Sequence, residues 1–310
     1  MGIITETNFF GGFQQSDEPK VLIVPVPYEY TTSHVKGTKN GPQAILNAST
    51  RLEPFDDELW LDQSAVGINT SNFATCEFVN NKSVEPFNEI EEAVRQAVIS
   101  GSLPILLGGE QSIFYGGVKA VYDLYPDVSI INFSADTNLR ENHKNNKFNS
   151  LCTLRRIKET MPDVKIVQIG IRDISKEEAM WLEKENHNIE IYFARERKNW
   201  NVAEILGGLS KNVCINLNFN VFDTSIMPSV SRSQPGGLSW EETVDILKNI
   251  CTFKDIVGMS FVDFSPIQGL LAPDFLAAKL IYKTIGYTFA RQLGVFEEEK
   301  TSTLVSSDSL

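Results

Sequence analysis

Short runs rich in apolar residues recur along the chain at 20–26, 103–107, 128–133, 164–169, 188–193, 213–220 and 256–266. Each is bounded by polar or turn-forming residues, the pattern of strands buried inside a sheet. Helical spacing lies between them. Residues 89–100 place Ile90, Ala93, Val94, Ala97 and Val98 on one face and stop at Gly101. Gly41-Pro42 opens a helix through Ala44, Ile45 and Leu46, because proline fits a first turn. Ser175-x-x-Glu178 and Ser239-x-x-Glu242 are capping boxes, and Ser112 is placed to cap the helix after Gly108-Gly109. A long helix closes the pattern at 272–293. About eight strands alternating with helices predict a three-layer α/β/α fold with a mostly parallel sheet.

Composition narrows the function classes. The chain has 310 residues, 42% of them hydrophobic, enough for one large core spanning 1–295. The Glu- and Ser-rich stretch 296–310 carries little apolar content and is expected to be a disordered tail. A net charge of −12 argues against a nucleic-acid partner. No apolar run reaches membrane-spanning length and no secretory signal opens the chain, so a cytoplasmic protein is expected. Four cysteines without a C-x-x-C pair suit buried thiols in a reducing compartment, Cys152 among them.

Candidate chemistry gathers after the strand at 128–133, where Ser134-Ala-Asp-Thr-Asn138 precedes a polar loop. Loops at the carboxyl ends of parallel strands build ligand sites. A second unusual strand, 213–220, alternates apolar residues with Asn216, Asn218 and Asn220, although asparagine is depleted in strands.

These stretches resemble the ureohydrolase family of arginase and agmatinase, in its agmatinase-like form. Ala135, Leu139, Arg140, Lys147, Phe148, Arg155 and Arg156 keep the frame of the family's Asp-Ala-His-x-Asp motif and the loop after it. Pro27, Thr32, Gly37, Gly41 and Pro42 match a second motif; Gly108-Gly109 matches the start of Gly-Gly-Asp-His-Ser. Gly170-Ile171-Arg172, Pro228, Pro235-Gly-Gly-Leu238 and the helix with Phe275, Leu276, Lys279, Leu280 and Tyr282 complete a match over roughly 8–294. The resemblance implies an arginase-like fold and a homo-oligomer, trimer or hexamer.

The family's ligands for two manganese ions map onto Gln111, Ser134, Asp136, Asn138, Asn218 and Asn220, of which only Asp136 is anionic. Ser150 stands where the family has an active-site histidine, and Asp263 where a glutamate contacts the substrate guanidinium. Neutral amides cannot offset two dications. The expectation is therefore no manganese and no enzyme: an inactive homologue with a structural or regulatory role, joined to an active paralogue. The amides are expected to form a hydrogen-bonded cluster around Asp136. The remnant pocket would hold Asp136, Ser150, Asp263, Glu110 and His143, with Asp223 adding negative charge for a small guanidino or amine ligand. The alternative is an active C–N hydrolase acting on a guanidino compound such as agmatine or arginine.

Overall fold

The computed structural model describes residues 8–12, 16–32, 34–72, 87–184 and 187–293. The expected tail at 296–310 lies outside them. The strands are β1 (Val21–Val26), β2 (Phe55–Asp56), β3 (Leu61–Asp62), β4 (Ile68–Thr70), β5 (Leu103–Gly108), β6 (Ser129–Phe133), β7 (Lys165–Ile171), β8 (Ile189–Phe193), β9 (Asn212–Asn218) and β10 (Asp255–Val262). The helices are α1 (Gly41–Ser49), α2 (Asn88–Ile99), α3 (Phe114–Leu124), α4 (Thr153–Thr160), α5 (Lys176–Lys184), α6 (Val202–Gly207), α7 (Trp240–Phe253) and α8 (Ala272–Phe289).

Eight strands form one sheet in the order β4-β1-β5-β10-β9-β6-β7-β8, every pair parallel. The expected architecture is thus the observed one. β2 and β3 make a separate antiparallel pair. Successive side chains point to opposite faces, so each strand feeds two cores. Ile105, Leu107, Ile131, Phe133, Ile215, Leu217, Met259 and Phe261 pack with Leu247 of α7 and Ile281 of α8. Leu106, Ile130, Cys214 and Val262 pack with Val94 of α2, Val118 of α3 and Leu154 of α4. Each such side chain taken from water contributes about 1.5–3 kcal/mol before entropy opposes it.

Local chemistry explains several boundaries. Both capping boxes form: the Ser239 hydroxyl accepts from Glu242 N–H while the Glu242 carboxylate accepts from Ser239 N–H. Ser175 and Glu178 exchange the same pair. Ser112 does not cap α3; its hydroxyl donates to Glu110 Oε1 at 2.6 Å, and Ile113 holds the cap position. The strand expected over 213–220 ends at Asn218, whose side chain accepts from Asn220 N–H and turns the chain into a 3-10 helix at Phe219–Val221. Asn216 stays in the sheet, donating to Asn132 Oδ1 on the neighbouring strand at 2.6 Å.

After β5 the chain crosses to β6, leaving between them the two places that β10 and β9 later fill. An order reversal of this kind opens a crevice above the carboxyl ends of the strands. Gly109 sits at its edge. A Cβ there would lie 2.0 Å from the Tyr28 carbonyl oxygen, so only glycine lets the two backbones approach.

Candidate functional site

A cavity of about 310 Å³ lies over the ends of β5, β6, β9 and β10. Gln111, Asp136, Asn138, His143, Ser150, Asn218, Asn220 and Asp263 all line it. These candidates make up half of its lining, which also includes Thr31, Asn149, Ser231 and Arg232. Ser134 and Glu110 are buried behind it.

Glu110 is an internal anchor. Its carboxylate accepts from the backbone N–H groups of Tyr30, Thr31 and Thr32 and from the hydroxyls of Thr31, Thr32 and Ser112. This pins the loop after β1 against the β5 end, and Thr31 Oγ1 accepts in turn from Ser150 N–H. Asp223 is also absorbed by the backbone: it accepts from Ser225, Gly236 and Gly237, which holds its carboxyl down at about 2. The expected contribution of Asp223 to the pocket charge is thus corrected; it braces the loop between β9 and α7.

The amides form two pairs rather than one ring. Asn218 Nδ2 donates to Gln111 Oε1 at 3.1 Å, and Asn220 Nδ2 donates to Asp136 Oδ2 at 2.9 Å. Asn220 Oδ1 accepts from Ala135 N–H and from the Ser134 hydroxyl, fixing the turn after β6. Asn138 does not reach Asp136. It adopts φ +53° and donates to the Ser150 carbonyl, which leaves Asn138 Oδ1 and Gln111 Nε2 buried without a hydrogen-bond partner.

Arg232 completes the surroundings of Asp136. Its Nη1 donates to Asp136 Oδ1 at 2.8 Å and its Nη2 to Asp173 Oδ2, which also accepts from Gln234 Nε2. Burial pushes the Asp136 carboxyl up toward about 6, while the Arg232 charge pulls it down and Asp173 pushes it up again. Arg232 was not singled out in the sequence. The available signal was a lone arginine in the Ser- and Pro-rich stretch between Pro228 and Pro235.

Asp263 is different. It is 6% exposed, its backbone has φ +69°, and no ion-pair partner stands beside it among the described residues. Burial pushes its carboxyl up to about 7, against the hydrogen bond donated by the Ser231 hydroxyl at 2.5 Å; Asp136 adds to the upward push. A non-glycine residue in the left-handed region is uncommon and points to function when it lines a cavity.

His143, named for the pocket from sequence, lines the cavity, and its Nδ1 lies 3.3 Å from Arg140 Nη1, which can only donate, so Nδ1 is the acceptor. Burial and then the Arg140 charge lower its pKa, favouring the neutral ring. Cys152 is buried and its thiol is pushed up to about 12 by burial, so it is a packed thiol.

Known proteins are similar to this chain in sequence and in fold. The Arginase family profile matches residues 19–286. An N(1)-aminopropylagmatine ureohydrolase of Thermus thermophilus is 32% identical over 271 residues, covering 87% of this chain and 90% of that protein. The agmatine ureohydrolase of Thermoplasma volcanium superposes with a TM-score of 0.81 at 24% identity, over 94% of this chain and 97% of that one. The Trypanosoma cruzi formiminoglutamase solved with two Mn2+ ions gives 0.81 at 20% identity, over 91% and 98%.

These findings correct two expectations. A chain that is no enzyme is contradicted by relatives named as hydrolases along nearly their whole length. A cofactor expectation of none is contradicted by the same kinship and by the manganese in the formiminoglutamase of this fold, which point to manganese instead. The side chains of this pocket nonetheless do not fit a manganese pair. Asp136 is the one carboxylate at the six mapped positions, and Arg232 and Asn220 take its two oxygens. Among the described residues no group of three or more His, Cys, Asp or Glu could hold a metal ion. Kinship over residues 19–286 and the shared sheet leave one conclusion about ancestry: the chain belongs to the arginase family.

Proposed function

We propose that this arginase-family protein hydrolyses a C–N bond of a small guanidino or amidine compound held in the cavity beside Asp263. The observation that carries this reading is a buried carboxyl facing an open pocket with no cation of its own among the described residues. Such a group is costly to ionise until a cation arrives. A planar amidinium supplies that charge and a matching pair of N–H donors.

Gln111 Nε2 and Asn138 Oδ1, both without partners, offer one donor and one acceptor to the same ligand. Relatives act on compounds of this class by their names: an agmatine ureohydrolase and N(1)-aminopropylagmatine ureohydrolases. Manganese is the metal their kinship points to, but it is given no step on a donor set that does not fit it.

The remaining residues divide the work. Asp263, with a pKa near neutrality, is suited to accept a proton from water as the water oxygen bonds to the amidine carbon. The same proton passes to the departing amine as the C–N bond breaks, so a guanidino substrate and one water yield urea and an amine. Ser231 orients the Asp263 carboxyl. Urea release from agmatine, arginine and aminopropylagmatine, each with and without added Mn2+, tests the proposal. Turnover of at least one is expected; release no faster than a buffer blank from all three, under both conditions, overturns it.

Self-association belongs to the same reading. Leu271 and Phe275 expose apolar surface at the start of α8, with Ile267 and Leu270 just before it. A trimer or hexamer of this chain is expected in sedimentation velocity, and a monomer at micromolar concentration would contradict it. Among the described residues no helix is long and apolar enough to cross a membrane. The buried free thiols Cys152, Cys214 and Cys251 suit a reducing compartment such as the cytoplasm.

A further inference from the structure

The pocket already contains a guanidinium, and it belongs to the chain. Arg232 spans two carboxylates, Asp136 at 2.8 Å and Asp173, with its side chain only about a third exposed. Both groups are held in place from other directions: Asn220 donates to the second oxygen of Asp136, and Gln234 donates to Asp173. The neighbour of Arg232, Ser231, donates to Asp263. Two consecutive residues of one loop thus touch both acidic poles of the cavity, and they treat them differently. The Asp136 pole receives a full positive charge, whereas the Asp263 pole receives only neutral donors, the Ser231 hydroxyl and the Asn218 amide.

We propose that Arg232 is a built-in guanidinium ligand that occupies the Asp136–Asp173 pair, confines an external guanidinium or amidinium to Asp263, and so determines which cations the pocket admits. The proposal rests on the reading that this cavity takes an external cation of that class. Its physical basis is competition between identical chemical groups. A tethered guanidinium has an effective concentration in the millimolar range or above, so a free one at lower concentration cannot displace it. The fixed charge of Arg232 also repels a second cation approaching Asp136, while among the described residues it makes its ion pairs with Asp136 and Asp173 and not with Asp263. Arginine suits the task because its planar fork can bridge two carboxylates; a lysine supplies a point charge for one.

The test uses the full chain and methylguanidinium as probe, titrated by calorimetry at pH 8. Native protein is expected to bind one equivalent, and Arg232→Ala to bind a second one or to bind at least tenfold more tightly. Arg232→Lys keeps a positive charge beside Asp136 and is expected to hold the stoichiometry at one equivalent, although it cannot bridge both carboxylates. The gain must depend on the vacated carboxylate, so Asp136→Asn combined with Arg232→Ala returns binding to one equivalent. Circular dichroism and melting temperature confirm that each variant is folded, and Arg232→Gln, which retains a hydrogen-bonding side chain, replaces the alanine variant if that one unfolds.

A folded Arg232→Ala or Arg232→Gln protein with unchanged stoichiometry and affinity overturns the proposal. So does a gain that survives loss of the Asp136 carboxylate. These outcomes are independent of urea release: absent turnover sinks the hydrolase reading alone, while binding still reports on Arg232.

Discussion

Arg172→Ala is expected to destabilise the protein by about 4 kcal/mol, because one guanidinium ties together three of the segments around the cavity. Its Nε donates to the Pro235 carbonyl, Nη1 to those of Gly170 and Val221, and Nη2 to those of Asn220, Phe222 and Gln234. These six acceptors come from the end of β7, the turn after β9 and the segment leading to α7. Each hydrogen bond from a charged donor is worth about 1.5–3 kcal/mol, but water can reach part of this site and recover some of the loss.

The consequence extends from stability to binding. Asn220 positions Asp136, and the 231–234 segment carries Ser231, Arg232 and Gln234, so loosening both ends separates the carboxylates from their partners. Arg172→Lys should recover less than half of the loss, since an ammonium cannot span acceptors on two sides. Urea denaturation measures the stability and methylguanidinium calorimetry the binding. A midpoint shift worth less than 1 kcal/mol for Arg172→Ala would show that the loops hold without it.

What the sequence made legible follows from how each kind of residue acts. The strands were readable because a parallel sheet buries both faces, so β5 and β6 are mainly apolar runs, with Ser129 and Asn132 the buried polar members of β6. Asn218 and Asn220 stood out because they break that rule, and both do line the cavity. Family motifs placed Asp136 and Asp263 there without any structural input.

The partners of those residues were not readable. Arg232 reaches Asp136 across 96 positions, and its loop has no periodicity from which a direction could be inferred. Asn138 was expected to face Asp136, but its left-handed backbone turns it to the Ser150 carbonyl instead. Glu110 and Asp223 look like available acids in sequence; in the fold each is consumed by backbone N–H groups, a role that leaves no local signature. Residue identity picked out residues that line the cavity, whereas their hydrogen-bond partners depended on contacts between distant loops.

Asp263→Asn carries the other large effect, and its two consequences run in opposite directions. Burial lifts the Asp263 carboxyl to about 7 in the folded state from its ordinary 3.8, so the folded protein holds the extra proton between those limits. Stability therefore falls as pH rises from about 4 to about 7 and stays lower above it, at a cost of up to ~4 kcal/mol for the buried charge. Asparagine never ionises, can keep the hydrogen bond with Ser231, and tolerates a positive φ better than most residues. The variant is expected to melt roughly 5 °C or more above the native chain at pH 8 and within about 2 °C of it at pH 4, before Asp263 ionises. The same substitution removes the counter-ion and the proton acceptor, so methylguanidinium affinity should fall at least tenfold and urea release on the order of a hundredfold or more. Melting curves at the two pH values, paired with calorimetry, decide between outcomes. Equal stability differences at pH 4 and pH 8 would mean that Asp263 is not a strained, unpaired carboxyl. A stabilised variant that still bound methylguanidinium would move the cation site away from it. Stability gained where binding is lost would identify Asp263 as a charge that the fold tolerates for the sake of its ligand.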